Sequence, residues 1–135
     1  MKDRNCIFCK IANGEIPAAT IYEDADFRVI LDVSPASKGH ALILPKEHYA
    51  NLFELDDEVA AKILPVAKRV VTKMKDVLKC DGYNLVQNNG EAAGQTVNHF
   101  HLHLIPRYDG DNVGLEWKPG TLSEEVKEEI LLKLQ

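Results

Sequence analysis

The chain of 135 residues has little of several features that define common protein classes. Its three cysteines are an odd number, which argues against the disulfide framework of a small secreted protein. No apolar run approaches the roughly 18 residues of a membrane span, and the N-terminus lacks the pattern of a secretory signal peptide. Lys and Arg (16) are outnumbered by Asp and Glu (21), so general nucleic-acid binding is not expected. We therefore expect a cytoplasmic protein without membrane or nucleic-acid partners.

The composition is otherwise that of a globular domain. Hydrophobic residues make up 45% and charged residues 27% of the chain, and its length suits one domain over residues 1–135. The spacing of apolar residues predicts five strands and three helices. The predicted strands are Thr20–Glu23, Phe27–Val33, His40–Pro45, Tyr83–Gln87 and Phe100–Ile105, and the predicted helices are Cys6–Asn13, Asp56–Lys79 and a C-terminal helix that starts within Thr121–Glu124.

Short connections between neighbouring strands predict an antiparallel sheet with helices beside it, which is an α+β fold rather than a βαβ fold. Pro65 removes a backbone donor inside the long helix and predicts a kink or a break into two helices. Gly82 is the predicted stop signal of that helix, and its Lys and Arg side chains are interpreted as a solvated face. The C-terminal helix is predicted to begin with a capping box at Thr121 and Glu124, and its apolar face comprises Val126, Ile130, Leu131 and Leu134.

Three of the five histidines, His99, His101 and His103, alternate with apolar residues along residues 99–105, at the start of and within the fifth predicted strand. Alternate residues of a strand share a face, so the histidines line one face while the apolar residues between them point into the core. One buried histidine has an ordinary structural explanation, but three in a row indicate a functional site. Two kinds of chemistry suit the row: metal binding by neutral imidazoles and nucleophilic catalysis by a ring nitrogen.

The loop before this strand, residues 88–96, favours the nucleophilic chemistry. Gly90 and Gly94 allow the backbone to approach a ligand closely, and Asn88, Gln95 and Thr96 supply neutral hydrogen-bond donors. This combination suits a phosphate group.

Several ordered blocks of the chain resemble the histidine-triad (HIT) superfamily of nucleotide hydrolases and transferases. The segment His99–Ile105 matches the signature in which three histidines alternate with apolar residues, and the similarity extends to Asp32–Pro35, His40–His48, the long helix and Gly94–Val97. The chain looks most like bacterial proteins allied to the Hint branch, which hydrolyses adenosine phosphoramidates and related adenylates. Residues 90–96 and Pro106–Arg107 also look like the Fhit branch, which cleaves diadenosine polyphosphates.

The resemblance implies a catalytic triad of His99, His101 and His103, in which His101 attacks the α-phosphate and forms a covalent nucleotidyl-histidine. It implies that Asp32 holds the ribose, that His103 and Gln95 hold α-phosphate oxygens, and that no metal takes part in the chemistry. Homodimers that pair through the long helix and the last strand are also implied. The implied nucleotide-binding residues are Asp32, Ser34, His40, Asn88, Gly94, Gln95, Thr96, His101 and His103.

Cys6 and Cys9 have the spacing of a zinc half-site, of a redox pair or of two small buried residues. A redox pair is typical of a thioredoxin-like βαβ unit, which the predicted elements do not include. A zinc half-site needs two further ligands, for which His48 and His99 are the candidates. Because many bacterial proteins of the resembled family bind zinc with this set, the resemblance favours structural zinc held by Cys6, Cys9, His48 and His99. Cys80 is interpreted as a packing residue.

The resulting prediction is a hydrolase that acts through His101 on a purine nucleoside phosphoramidate or adenylate and releases a nucleoside monophosphate such as AMP or GMP. Three alternatives stay open. They are a dinucleoside polyphosphate hydrolase, a nucleotide-binding module with little turnover, and a metal-dependent hydrolase that places all three histidines on one metal. Residues 108–120 either reach the active site of a partner or cover the core.

Overall fold

The computed structural model describes residues 2–135. Its strands are β1 (Thr20–Glu23), β2 (Phe27–Leu31), β3 (Ala41–Pro45), β4 (Gly82–Val86) and β5 (Leu102–Arg107). Its helices are α1 (Ile7–Ala12), α2 (Asp57–Leu78) and α3 (Glu124–Leu134), and a short 3-10 helix spans Glu91–Ala93. None of the helices in this part of the chain is both long and apolar enough to cross a membrane.

The strands form one antiparallel sheet in the order β1-β2-β3-β5-β4, which confirms the predicted α+β fold. The histidine strand β5 lies inside the sheet, where His103 is opposite Leu42 of β3 on one side and Val86 of β4 on the other. The last strand therefore has no free edge with which to meet a second copy. The free edge at this end of the sheet belongs to β4.

The two faces of the sheet are covered differently. On one face α2 packs its buried side chains, spaced three and four residues apart as predicted, against apolar residues of the strands. Leu102 and Leu104 of β5 belong to this core. On the opposite face, Ala12 of α1 packs with residues of β2 and β3, and His101 points toward this side, where it meets Phe8.

The long helix departs from its prediction at Pro65. It is continuous through Pro65, so the predicted break into two helices is wrong. Pro65 and Ala61 lie on the exposed side of α2, where water can satisfy the carbonyl of Ala61 that loses its partner. The helix ends at Leu78, within one residue of its predicted end, where Lys79 adopts the left-handed conformation (φ 56°) and donates its N–H to the carbonyl of Lys75.

Several strand and helix boundaries differ from the sequence prediction by one or two residues, and hydrogen bonds explain two of these differences. Strand β5 begins at Leu102 rather than Phe100, because the Phe100 N–H donates to the carbonyl of Tyr49 instead of to a neighbouring strand. Helix α3 is capped by Ser123 rather than by the predicted box at Thr121, since Ser123 Oγ accepts from the N–H of Val126 at 3.2 Å.

Candidate active site

The three histidines of the motif lie together but have different hydrogen-bond partners. His101 and His103 are neighbours, with ring centroids 5.0 Å apart. The ring of His99 is completely buried and lies beside two cysteines. The row of histidines therefore divides into a part that faces the thiols and a part that faces the nucleotide-binding residues implied by the sequence.

The ring of His101 is fixed in one tautomer. Its Nδ1 lies 2.7 Å from the carbonyl oxygen of His99. A carbonyl oxygen only accepts hydrogen bonds, so Nδ1 carries the proton and Nε2 keeps its lone pair. Burial lowers the pKa of His101, which keeps the ring neutral at pH 7. The side chain thus has the form that a nitrogen nucleophile needs.

A short relay fixes the tautomer of His103. The backbone N–H of Ala36 donates to Nδ1 of His40 at 2.9 Å, so the proton of a neutral His40 lies on Nε2. That Nε2 is 2.9 Å from Nδ1 of His103 and donates to it. His103 then carries its own proton on Nε2, which no other described residue accepts. Burial lowers the pKa of His103 to about 4, so this ring is also neutral near pH 7.

Asp32 supplies the negative charge beside this relay. Its Oδ2 lies 3.6 Å from Nε2 of His40, and its Oδ1 accepts from the backbone N–H of Ser34 at 2.8 Å. The carboxylate opposes the effect of burial on the histidine pKa values, but burial is the larger effect at His40 and His101. Asp32, His40, His101 and His103 are therefore brought together, and Ser34 joins them through its backbone.

The loop of residues 88–96 is held by the side chain of Gln95. The amide oxygen of Gln95 accepts from the N–H of Gly90, and its amide nitrogen donates to the carbonyls of Ala50 and Val97. Both amide hydrogens are thus engaged, and Gln95 reaches a phosphate oxygen only after one of these bonds is exchanged.

The remaining implied loop residues lie within the same turn. Gly94 has a φ of 96°, a conformation that favours glycine, and a Cβ at this position would come within 3.7 Å of Asn88 Nδ2. Asn88 is half-buried and Thr96 is exposed. No hydrogen bond joins the side chain of either residue to the histidines of the described chain.

Four side chains form a compact group on the other side of the motif. The Nδ1 of His99 lies 3.3 Å from Cys6 Sγ and 3.4 Å from Cys9 Sγ, and Nδ1 of His48 lies 3.3 Å from Cys9 Sγ. All four ligand atoms are within 4.8 Å of one another. A zinc ion bound by cysteine and histidine has ligand atoms about 3.5 Å apart, as follows from its usual bond lengths in a tetrahedron. Two thiols and two imidazole nitrogens at these distances fit such an ion.

The second ring nitrogen of His99 supports this orientation. Its Nε2 donates to the carbonyl of Pro45 at 2.9 Å, which leaves Nδ1 unprotonated toward the thiols. Burial lowers the pKa of His99 to about 4 and raises that of Cys9 to about 11 in the absence of a metal. A neutral imidazole is already suited to a metal, whereas the Cys9 thiol has to lose its proton when a metal binds.

Asp32, His40 and His103 form a second group that offers closely spaced ligand atoms. Its hydrogen bonds disfavour a metal, because Ala36 needs the lone pair of His40 Nδ1 and His40 in turn donates to His103. Neither of the two groups found among residues 2–135 contains all three histidines of the motif. The geometry therefore does not favour the alternative of one catalytic metal held by the whole triad.

Sequence reasoning missed two contacts of the site. Phe8 packs edge-on against the rings of His101 and His99, with centroids 5.0 and 6.1 Å away. Its position between Cys6 and Cys9 was the available signal, since a site that binds both cysteines also places the residue between them. The role of the Ala36 N–H had no signal, because every residue other than proline has a backbone donor.

Comparisons with known proteins find similar sequences and structures. The profile of the HIT domain matches residues 13–110. The adenosine 5'-monophosphoramidase of Schizosaccharomyces pombe is 43% identical over 136 residues, which cover 97% of this chain and 99% of that protein. A crystal structure of a HIT family protein from Bacillus anthracis has 42% identity and a TM-score of 0.89, and covers 97% of this chain and 95% of its own. A zinc-bound histidine triad family protein from Mycobacterium smegmatis has 37% identity and a TM-score of 0.77, with coverage of 96% and 91%.

Proposed function

The chain belongs to the HIT family, and on that premise we propose that its single domain hydrolyses a purine nucleoside phosphoramidate or adenylate and releases a nucleoside monophosphate. The observation that carries this proposal is the bond from His101 Nδ1 to the carbonyl of His99, which leaves Nε2 as a free nucleophile. The similarity to an adenosine 5'-monophosphoramidase supports the choice of a P–N bond.

His101 is the nucleophile in this mechanism. Its Nε2 lone pair forms a bond to the α-phosphorus while the bond from phosphorus to the leaving nitrogen or oxygen breaks, and the leaving group takes up a proton from the solvent. The positive charge that develops on the ring is stabilised by the bond from Nδ1 to the His99 carbonyl. Water then attacks the phosphorus and releases a proton to the solvent, the N–P bond breaks, and the nucleoside monophosphate leaves a neutral His101.

His103 holds the phosphate in this proposal. Because His40 donates to its Nδ1, His103 has an N–H at Nε2 that can donate to a nonbridging oxygen of the α-phosphate. A donor already oriented before the reaction stabilises the negative charge that grows on these oxygens. His40 is thus a positioning residue for His103, and the N–H of Ala36 positions His40.

The remaining predicted residues bind the nucleotide around this centre. Asp32 accepts from the ribose hydroxyls, Ser34 and Asn88 lie on the same side, and Gly94 and Thr96 border the phosphate and its leaving group. Gln95 donates to the phosphate after releasing one of its backbone carbonyl partners. These assignments extend the HIT resemblance to the corresponding side chains of this chain.

The group of Cys6, Cys9, His48 and His99 would hold zinc, which supplies structural stabilisation and no chemistry at the phosphorus. The comparison with a zinc-bound relative supports the choice of metal. His99 contributes its ring to this group and its carbonyl to His101, so it connects the N-terminal segment with the nucleophile.

We further propose that the protein is a cytoplasmic homodimer. The free edge of β4 and the exposed side chains of Leu64 on α2 and Leu85 on β4 form a continuous surface that a second copy can cover. In this proposal the interface keeps the long helix of the sequence prediction, and the edge strand β4 takes the place of the last strand, β5.

The proposal is tested by measuring AMP release from an adenosine phosphoramidate by the natural chain and by His101→Ala. Urea unfolding of both proteins should give equal midpoints, which shows that the variant is folded. We expect the substitution to lower turnover by about 10⁴-fold or more, because it removes the nucleophile. Rapid acid quenching with a substrate labelled at the α-phosphate should also trap label on the natural chain and none on the variant. Equal turnover of the two proteins would overturn the mechanism.

The same assay separates the proposal from its rivals. Cleavage of a dinucleoside polyphosphate without cleavage of the phosphoramidate would replace the proposed substrate while keeping His101. Tight binding of AMP without any turnover would indicate a nucleotide-binding module.

A further inference from the structure

The loop between β2 and β3 supplies the donor on which the orientation of His103 depends. Its Ala36 N–H donates to Nδ1 of His40, and His40 donates in turn to Nδ1 of His103. Residues 32–40 contain no helix or strand, and Ala36 is exposed. An exposed loop without secondary structure is mobile unless other contacts hold it in place. The orientation of the relay therefore depends on what fixes this loop.

The loop is attached to strand β5 by the hydroxyl of a serine. The Oγ of Ser37 donates to the carbonyl of Pro106 at 2.5 Å. The carbonyl of Ser37 accepts from the N–H of His40 at 3.1 Å, which closes a turn over residues 37–40. The turn lies close against the strand, since a Cβ on Gly39 would come within 3.3 Å of Pro106 Cγ. The serine therefore joins this turn to the strand that contains the histidine motif.

The carbonyl of Pro106 is a buried acceptor at the end of the sheet. Pro106 is fully buried, so water has little access to its carbonyl. The carbonyl of the next residue, Arg107, accepts from the N–H of Asp81 on the β4 side. Because successive carbonyls of a strand point in opposite directions, that of Pro106 points to the β3 side. Strand β3 begins only at Ala41 and does not extend as far as Pro106, so the hydroxyl of Ser37 satisfies this carbonyl in its place.

A second hydroxyl contacts the same loop, but at an exposed position. Tyr108 Oη donates to the carbonyl of Lys38 at 2.7 Å. Lys38 is exposed, so water can replace this donor when it is lost. Both bonds join the loop to the end of β5, yet only the bond of Ser37 ends on a buried residue. Ser37 is therefore the contact whose loss hydration does not compensate.

The negative charge beside the relay depends on the same loop. Asp32 Oδ2 lies 3.6 Å from Nε2 of His40, where a carboxylate favours the proton on that nitrogen, and Asp32 Oδ1 accepts from the N–H of Ser34. The distance to His40 is longer than a hydrogen bond, so the carboxylate supports the N–H of Ala36 but does not replace it. A shift of the loop therefore weakens both influences on His40.

We propose that Ser37 is a positioning residue of the active site, whose hydroxyl holds the loop so that the Ala36 N–H reaches His40. Without this N–H, His40 can carry its proton on Nδ1 and present a lone pair at Nε2. His103 then takes its own proton on Nδ1 to donate to that lone pair, and its Nε2 loses the N–H. The relay thus has two directions, and the hydroxyl of Ser37 selects the one that offers an N–H to a phosphate. The effect on turnover rests on the proposed function, whereas the effect on the tautomer does not.

The ring ¹⁵N shifts of His103, measured by NMR on the zinc-loaded full chain at pH 7, test this role. In the natural chain we expect one tautomer, with the proton on Nε2. In Ser37→Ala a second tautomer with the proton on Nδ1 should appear, and the Ala36 amide should lose its protection from hydrogen exchange. The kcat for an adenosine phosphoramidate should fall by up to about tenfold with little change in KM. Ser37→Thr keeps a hydroxyl and should restore the single tautomer.

Tyr108→Phe is the matched control, because it removes a hydroxyl that bonds the same loop at an exposed carbonyl. It should leave the tautomer of His103 and kcat unchanged, and urea unfolding shows whether each variant is folded. The proposal is overturned if His103 keeps a single tautomer in Ser37→Ala, if Tyr108→Phe shifts the tautomer as much, or if Ser37→Thr does not restore it. A shifted tautomer in a protein that never cleaves the phosphoramidate would support the role of Ser37 and overturn the proposed function instead.

Discussion

Three histidines of one short segment, His99, His101 and His103, belong to two different clusters, whose surroundings give them different chemistry. In the first, the rings of His99 and His48 point Nδ1 toward Cys6 and Cys9 in a buried, closed group. In the second, the rings of His101 and His103 are oriented by hydrogen bonds that leave one nitrogen of each available to a ligand. The metal cluster and the phosphate cluster, as we call them, share the same strand motif.

The difference shows that partner atoms, rather than the histidines themselves, decide the role. Each ring is held through one nitrogen, and the type of atom on that side determines what the other nitrogen can do. The carbonyl of Pro45 leaves a lone pair on His99 that faces the two thiols, and the carbonyl of His99 leaves one on Nε2 of His101, which we propose as the nucleophile. The donor His40 leaves an N–H on His103. If this is correct, damage to the two clusters should have separable effects on stability and turnover.

The largest expected effect on stability comes from Cys9→Ala in the metal cluster. Loss of a zinc ligand should lower the free energy of unfolding by about 4 kcal/mol or more, because metal binding contributes directly to folding. Urea unfolding of zinc-loaded proteins measures this loss. A chelator should destabilise the natural chain and have no further effect on the variant.

Cys80→Ala is the matched control, since Cys80 is also buried but belongs to neither cluster. Its substitution should cost only about 1 kcal/mol, the usual effect of a small cavity. Equal losses for Cys9→Ala and Cys80→Ala would mean that Cys9 is a packing residue and not a metal ligand.

The next largest effect is on turnover and comes from His103→Ala in the phosphate cluster. Removal of one donor to the developing phosphoryl charge should lower kcat by about 10²-fold, while the free energy of unfolding changes by about 1 kcal/mol or less. Steady-state kinetics and urea unfolding of the same preparation measure both quantities. A loss of stability as large as that of Cys9→Ala would remove the distinction between the clusters.

The part of this distinction that depends on neighbouring residues could be predicted from the sequence, whereas the part that depends on contacts between distant residues could not. The alternation of His101 and His103 with apolar residues is local and predicted their common face, and the spacing of Cys6 and Cys9 indicated a metal half-site. The bond between His40 and His103 joins residues 63 positions apart, so only the register of β3 and β5 creates it. The engagement of Gln95 with backbone carbonyls likewise depends on how its loop closes against Ala50.

The fold, like the site, was predicted in its main elements but not in every detail. The elements and the antiparallel sheet followed from periodicity, but Pro65 did not interrupt α2 because its side of the helix is exposed. Lys79 ended that helix in a left-handed conformation that no glycine signalled. These exceptions depend on solvent exposure and on the surrounding structure, which a local sequence pattern does not report.

A smaller effect is expected from His40→Ala, which acts through His103. Without its donor, His103 Nδ1 can take the proton, and the fraction of His103 with an N–H at Nε2 should fall, lowering kcat about tenfold, as other positioning partners do. The ¹⁵N shifts of the His103 ring report its tautomer and distinguish this effect from simple loss of stability. A tenfold loss of kcat with an unchanged His103 tautomer would contradict the relay.

The smallest expected effect is the contribution of His103 to the pH dependence of the free energy of unfolding. Burial holds the pKa of His103 at about 4 in the folded chain, below the value of about 6.5 expected after unfolding. Between these values the unfolded state binds more protons, so the stability from this group is complete above pH 6.5 and is lost as the pH falls toward 4. At pH 5.5 the loss should be about 1 kcal/mol.

His103→Ala should remove this part of the pH dependence while leaving that of the metal cluster, so the difference between the natural chain and the variant isolates His103. Parallel stability curves for the two proteins from pH 7 to pH 5 would show that His103 is not held neutral by the fold, which would contradict the hydrogen bond that its Nδ1 accepts from His40.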